Sequence, residues 1–288
     1  MPATPMGSEK YSRPGMVNES AEPYTAKCNP ERQVFTGGLE GDIPPDRPMI
    51  TIPKISQDVL DFLCHTDTCT VSNAIETFGV RMRNEGFIHN VTHCLFPELP
   101  PIAGYAVTGR IRTTAPPIAN LCYYHRTDWW RHVESLPGPK IIVIADVDRI
   151  PGTGAFVGEI HAYIAKALGC VGYVTNGSVR DLPALKAAGF PCFAGGTSVS
   201  HAYAHIVEFG DPVHLGGLKI STGDLLQADC HGVQSVPIEI VDRLPEEVAR
   251  IRKREAELIR FCQSDEFSFE KLESVLDQES ATCQPKLA

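Results

Sequence analysis

The sequence is short of basic charge. Its 288 residues carry 26 Lys and Arg against 35 Asp and Glu, a formal net charge of −9. A nucleic-acid surface needs clustered cations, and a polybasic membrane patch needs the same, so neither partner is expected. The chain also lacks any apolar run of the roughly 18 residues that a membrane-spanning helix requires. The opening stretch MPATPMGSEKYSRPG has no apolar segment of the kind a secretory leader uses. The expected location is cytoplasmic.

No C-x-x-C pair occurs among the 10 cysteines. Cys64 and Cys69 are the closest pair, with His65 between them; Cys94 follows His93, and Cys230 precedes His231. A structural zinc site normally shows tighter paired spacing, so the expected state is reduced, buried thiols packing as small hydrophobes. A G-x-S-x-G elbow, a P-loop and a G-x-G-x-x-G after a strand are all missing, which removes the common hydrolase, nucleotide and dinucleotide readings.

What is present is an ordinary globular composition, 43% hydrophobic and 21% charged, in a chain long enough for one large domain or two small ones. Residues 1–48 are rich in Pro, Gly, Ser and charge and read as an arm with little structure of its own. Residues 49–262 read as the folded domain and 263–288 as a weakly ordered tail. Two short helices are expected over 49–80, with Thr70 as a candidate cap. IAGYAVTGRIRTT (102–114) alternates as a strand does, and a long helix carrying Trp129 and Trp130 is expected over 117–135. KIIVIAD (140–146) and VGYVTN (171–176) suit buried strands. AFVGEIHAYIAKAL (155–168) reads as an amphipathic helix ended by Gly169, a further helix closes at Gly189, and PCFAG (191–195) is a strand. From 211 to 237, short runs with Gly and Asp turns predict a small antiparallel sheet, and 245–260 a charged helix with Val248, Ile251 and Leu258 inward.

Strand–helix alternation followed by hairpins predicts a layered α/β domain. In such sheets ligands gather beyond the carboxyl ends of the strands, which points to 146–160 and 176–181. Gly158 and Glu159 fall near a helix start, where free backbone N–H groups of 158–161 (Gly158, Glu159, Ile160, His161) could hold a small carboxylate; alternatively Glu159 only complements the helix dipole. Arg180 could fork onto an enolate or carboxylate while Asp181 holds a hard cation; alternatively Asp181 caps a helix over 181–188 and Arg180 is a solvated charge. His201 and His205, four apart, would share a helix face but have no third ligand at useful spacing.

GEIHAYIAKALGCVGYVTNGSVRDLPALKAAGFPCFAGGTSVS and STGDLLQADCHGVQSVP resemble the RraA-like family, which includes 4-hydroxy-4-methyl-2-oxoglutarate aldolases, oxaloacetate decarboxylases and the regulator of ribonuclease E activity. The likeness covers about residues 56–260. Its most specific part is Gly158-Glu159, 20 residues, then Arg180-Asp181, together with Gly189-Phe190-Pro191, Gly223-Asp224 and AD-x-x-GV at 228–233. The resemblance implies a swivelling β/β/α fold with a C-terminal helix, assembled as a homotrimer or a hexamer with sites between protomers. It implies a metal-dependent lyase that cleaves a 2-oxo acid through a pyruvate-type enolate. Asp181 would bind Mg²⁺ or Mn²⁺, Glu159 would act through metal-bound water, Arg180 would touch the carbonyl that becomes the enolate, and the 158–161 backbone would take the pyruvyl carboxylate.

Three positions depart from the family pattern. Ala184 replaces an acid three residues after Asp181, Asn73 replaces an Asp of the first helices, and His231 replaces the Asp of the late hairpin. Losing the acid at 184 bears on aldol cleavage, which needs a base for the departing hydroxyl proton, more than on decarboxylation. The competing expectations are a non-catalytic binding protein like the ribonuclease regulator, and a specialised enzyme turning the same enolate site on a larger substrate, motivated by the aromatic stretch 123–132. Methyl transfer, another activity attached to the family, is excluded for want of a Gly-rich loop to hold the methyl donor.

Overall fold

Ser56 and Asp67 start the first two helices. The structure, a computed structural model, describes residues 52–117 and 127–282, with side chains up to residue 276. In α1 (Gln57–Cys64) the Ser56 hydroxyl accepts from the Val59 N–H at 3.3 Å. In α2 (Thr68–Thr77) the Asp67 carboxylate accepts from the Thr70 N–H at 2.8 Å and the Thr70 hydroxyl at 2.7 Å. Thr70, the expected cap, is therefore a donor one turn inside the helix, and Asp67 does the capping.

After β1 (His93–Cys94) comes β2 (Ile102–Arg112), buried on both faces for most of its length. The helix expected over 117–135 is described only as α3 (Thr127–Ser135); residues 118–126 lie outside the described residues, as does the arm over 1–48. Next come β3 (Lys140–Asp146), β4 (Ala155–Val157), α4 (Glu159–Ala167), β5 (Cys170–Val179), α5 (Leu182–Ala187) and β6 (Cys192–Thr197). β2, β3, β5 and β6 are parallel neighbours. β3 is buried at all seven positions, and successive side chains divide between its two faces. Ile142 and Ile144 meet Trp129, Ala162, Ala165 and Leu185 on one side. Ile141, Val143 and Ala145 meet Phe193, Val213, Leu215 and Ile220 on the other. A parallel strand covered on both faces carries a continuous apolar run, which is what KIIVIAD is. Gly109 serves the first face: a Cβ there would stand 2.8 Å from Ile144 Cδ1 and 3.2 Å from the Trp129 ring, so the indole packs directly on β2.

β7 (His205–Phe209), β8 (Val213–Leu215), β9 (Leu218–Ile220), β10 (Leu225–Asp229) and β11 (Gly232–Ser235) follow. A 3₁₀ turn (Ile238–Arg243) leads into α6 (Leu244–Cys262), and α7 (Phe269–Thr282) comes last. The main sheet runs β1-β6-β5-β3-β2-β10-β11, with β4 on β5 and β7 on β2. Its two edges approach each other through residues 86–94. Phe87 bridges Gln234 and Ile88 N–H donates to Val233 C=O at 3.0 Å, while His93 and Cys94 pair with Ala194 and Phe193 of β6. The outcome is a mixed α/β fold with a nearly closed, barrel-like sheet. A third apolar cluster packs α1, α2 and α6 on Ala103, Tyr105 and Leu225.

Several expectations are corrected. Residues 155–157 form a strand, because Ala155, Phe156 and Val157 are all buried beside β5, and the helix begins only at Glu159. Only β8 and β9 make a separate small sheet; β10 and β11 extend the main one. His201 and His205 share no helix: His201 Nδ1 lies 2.8 Å from Ala155 C=O in a loop, and His205 opens β7. The tail expected from 263 includes the helix α7. No helix among the described residues is long and apolar enough to cross a membrane.

Candidate active site

The register of β4 on β5 creates the site. Ala155 lies opposite Ser178 and Val157 opposite Val179, so the residues leaving the two strands, Gly158 and Arg180, emerge side by side at the carboxyl end of the parallel sheet. Arg180 N–H donates to Val157 C=O at 3.0 Å and extends the pairing by one residue. The chain then turns at Asp181, which adopts φ 56°, ψ 40°, a left-handed conformation that Asp tolerates better than most residues. This turn swings the carboxylate back toward α4.

Three contacts fix that carboxylate. Its Oδ2 accepts from the Glu159 N–H at 3.2 Å, and its Oδ1 accepts from Arg180 Nε at 3.2 Å. The Glu159 N–H, joined by the Arg180 guanidinium and more weakly by His201, holds the Asp181 carboxyl below the usual carboxylate range and outweighs the opposing effect of burial. Gly158 is the third element of the fit. A Cβ on it would stand 2.4 Å from Asp181 Oδ2 and 3.0 Å from Arg180 Cγ, so only glycine admits the carboxylate so close to the helix start. Asp181 occupies the N-cap position of α5 but makes no side-chain cap bond there; its carboxylate serves α4 instead.

Gly158, Glu159, Arg180 and Asp181 are thus brought together. Ile160 and His161 follow in the first turn of α4, with different surroundings. The Ile160 side chain is 69% exposed. The His161 ring is buried, 5.7 Å from the Trp130 ring and 5.1 Å from the Phe156 ring. Burial, with a smaller push from His201, lowers its pKa to about 4, so it is a neutral imidazole in ordinary conditions. Ala184 stands one turn into α5, its N–H on Asp181 C=O at 2.9 Å, and brings no polar group. His231 lies in the turn after β10. Ala228 pairs with Ile102 at the start of β2, whereas the site lies where β3 and β5 end, so within one chain His231 stands at the other end of the sheet.

Residues not singled out from the sequence support the loop 147–154. Buried Asp146 Oδ2 accepts from Gly152 N–H at 2.8 Å. Asn176 clasps the Asp146 backbone through both ends of its amide, at 2.8 and 3.0 Å, and Ser178 Oγ donates to Gly152 C=O at 2.8 Å. The available signal was an Asp ending an apolar strand at the carboxyl edge of a parallel sheet. The contact of His201 with Ala155 had no such signal, because it joins a loop to a strand 46 residues away.

The carboxylate of Asp181 is a hard oxygen donor, 37% exposed, in a notch that a Cβ would fill. Mg²⁺ and Mn²⁺ are commonly held by one or two carboxylates with water and substrate completing the shell, and Asp181 with exposed Glu159 suits that pattern.

A family model described as RraA-like, Aldolase/RraA, matches residues 68–234. A Halalkalibacterium halodurans protein provisionally named a 4-hydroxy-4-methyl-2-oxoglutarate aldolase is 36% identical over 105 residues, 36% of this chain and 49% of that protein. The chain therefore spans about half the length of that curated relative. Among solved structures, an uncharacterised protein from Pseudomonas syringae pv. tomato aligns with TM-score 0.62 at 22% identity over 78% of this chain and 96% of its own. Streptomyces coelicolor RraAS2, described as an unusual member of the RNase ES inhibitor RraA family, aligns with TM-score 0.57 at 21% identity over 73% and 98%. At such identities the structures speak for the fold alone.

Proposed function

The chain belongs to the RraA-like family, whose model matches more than half of it, and from that premise we propose a divalent-metal-dependent lyase that breaks a carbon–carbon bond of a 2-oxo acid through a pyruvate-type enolate. The observation that carries this reading is the junction of Gly158, Glu159, Arg180 and Asp181. It brings a planar guanidinium and a hard carboxylate together at one helix start, in a close fit that only glycine at 158 allows.

The chemistry follows from charge. A substrate carboxylate set at the start of α4 would face the Asp181 carboxylate, and two anions in contact repel unless a cation lies between them. Asp181, with Glu159 one shell out, would hold Mg²⁺ or Mn²⁺. When bound, that cation would supply Lewis-acid stabilisation of charge on the 2-oxo acid. The 158–161 backbone would orient the substrate carboxylate, and Arg180 would donate to the C2 oxygen, where negative charge grows only as the bond breaks. In oxaloacetate the C3–C4 bond breaks, its electron pair moves to the C2 oxygen, CO₂ leaves, and a proton returns to C3 to give pyruvate. Aldol cleavage of 4-hydroxy-4-methyl-2-oxoglutarate would also need a base for the hydroxyl proton. Ala184 offers none, and neutral His161 is packed under aromatic rings. Decarboxylation is therefore the favoured reaction.

Pyruvate release coupled to lactate dehydrogenase tests this on both substrates. Oxaloacetate should react at least as fast as the aldol substrate, with turnover lost in excess chelator and restored by Mg²⁺ or Mn²⁺. No turnover of either with metal present, or full turnover in chelator, would sink the reading.

A further inference from the structure

Asp229, Cys230 and His231 occupy the end of β10 and the two-residue turn into β11, where Asp229 pairs with Gly232. Gly232 closes the turn at φ 138°. One donor atom from each side chain lies within 4.8 Å of the other two. His231 Nδ1 is 3.5 Å from Cys230 Sγ and 3.1 Å from Asp229 Oδ1.

Two chemistries could use such a trio, and geometry separates them. In a Cys–His–Asp relay the thiol and the carboxylate bind opposite ring nitrogens. Here both approach Nδ1, while Nε2 is farther from the sulfur at 3.9 Å. The donors converge on a point instead of forming a line. Zinc bonds of about 2.0–2.1 Å to nitrogen or oxygen and about 2.3 Å to sulfur, at tetrahedral angles, set neighbouring donors roughly 3.3–3.6 Å apart, close to the two distances from Nδ1.

We propose that Asp229, Cys230 and His231 form a binding site for a thiophilic divalent transition metal ion of the zinc class, with the fourth position open to water. A thiolate beside an imidazole and a carboxylate selects such an ion over Mg²⁺ or Ca²⁺. The carboxylate is already oriented. Asp229 is 5% exposed; its Oδ2 accepts from the Thr68 N–H at 2.7 Å, and its Oδ1 accepts from the Thr68 hydroxyl at 2.7 Å and the His231 N–H at 2.8 Å. Outer partners of this kind hold metal ligands in place. Cys230 and His231 are exposed, which leaves an entry path. The paired-spacing rule for zinc misses the site because a tight β-turn makes three consecutive residues converge. It stands apart from the lyase reading: it uses none of those residues and is read by a different signal.

Co²⁺ titrated into the metal-free full-length chain tests it. Expected is one equivalent bound through sulfur, with a thiolate-to-cobalt charge-transfer band in the near ultraviolet and tetrahedral visible bands, both removed by Zn²⁺; Co²⁺ held by oxygen donors at Asp181 gives no such band. Cys230→Ser should abolish the charge-transfer band and His231→Ala the tetrahedral spectrum. Thr68→Ala should weaken binding about tenfold, and Cys262→Ser should change nothing, with circular dichroism establishing that each variant folds. No sulfur-to-cobalt band in the wild type, or a band that persists in folded Cys230→Ser, overturns the proposal.

Discussion

Asp181 holds a backbone conformation that costs most residues about 1–2 kcal/mol, and its partners explain why that conformation is useful. The left-handed turn delivers the carboxylate to Glu159 N–H and Arg180. Asn tolerates the same region, so Asp181→Asn separates charge from shape. The variant should fold with a Tm within a few degrees of wild type and lose metal-dependent pyruvate formation. A variant with near-normal turnover would remove Asp181 from the chemistry. Arg180→Lys asks the parallel question of the guanidinium. Lysine keeps the charge without the planar fork, so kcat should fall at least about tenfold while KM moves less. A rate within about twofold of wild type would mark Arg180 as a solvated charge. Gly158→Ala should act on both residues at once, since its Cβ lands on Asp181 Oδ2.

Helix α4 joins the site to the core through His161, and that ring makes stability depend on pH. Its folded pKa lies near 4 against 6.5 for an ordinary histidine. A histidine depressed in this way leaves stability intact above its unfolded pKa. Stability is lost as pH falls from about 6.5 toward 4, because the unfolded chain takes the proton first. The term is on the order of 3 kcal/mol over that window. His161→Leu should flatten it, read as the wild-type-minus-variant difference in urea unfolding between about pH 7 and about pH 4. Equal pH slopes would show that the ring is solvated. Legibility also varied element by element. β3 was plain because both faces are covered, and α6 because Val248 is buried at helical spacing from Ile251. β4 reads as part of the following helix, since three apolar residues show no period of their own and run unbroken into GEIH. β7, HIVEF, carries no clear period either, because apolar Ile206 and Val207 are adjacent and only Ile206 is buried. The Glu159–Asp181 contact joins residues 22 apart and exists only through the β4–β5 register, so motif spacing could point to both residues but not to their hydrogen bond.

At the scale of the whole molecule, the carboxyl end of the sheet carries more apolar surface than a free face needs. Ile160 and Tyr163 on α4 are 69% and 54% exposed, Val199 and Tyr203 in the adjoining loop 95% and 54%, and Ile150 71%. Exposed apolar groups gathered at one end mark an interaction surface. The site beside them is half open, with the Arg180 and Asp181 side chains 31% and 37% exposed. In water-like surroundings a guanidinium stabilises a forming enolate weakly, and the effect grows as solvent is excluded. A second copy of the chain covering this end would bury the apolar groups and dry the site together, which agrees with the assembly the family resemblance implies. We therefore expect a homotrimer or hexamer in which the covered face is the catalytic one. Light scattering should report a multiple of the 31.4 kDa chain. Tyr163→Glu combined with Ile164→Glu, both on the outer face of α4 and outside the proposed machinery, should give a folded monomer whose kcat falls with its assembly. Dilution of the wild type should lower specific activity along the same curve as its mass. A fully active monomer near 31 kDa would show that one chain completes the site alone, and the apolar end would then need another occupant.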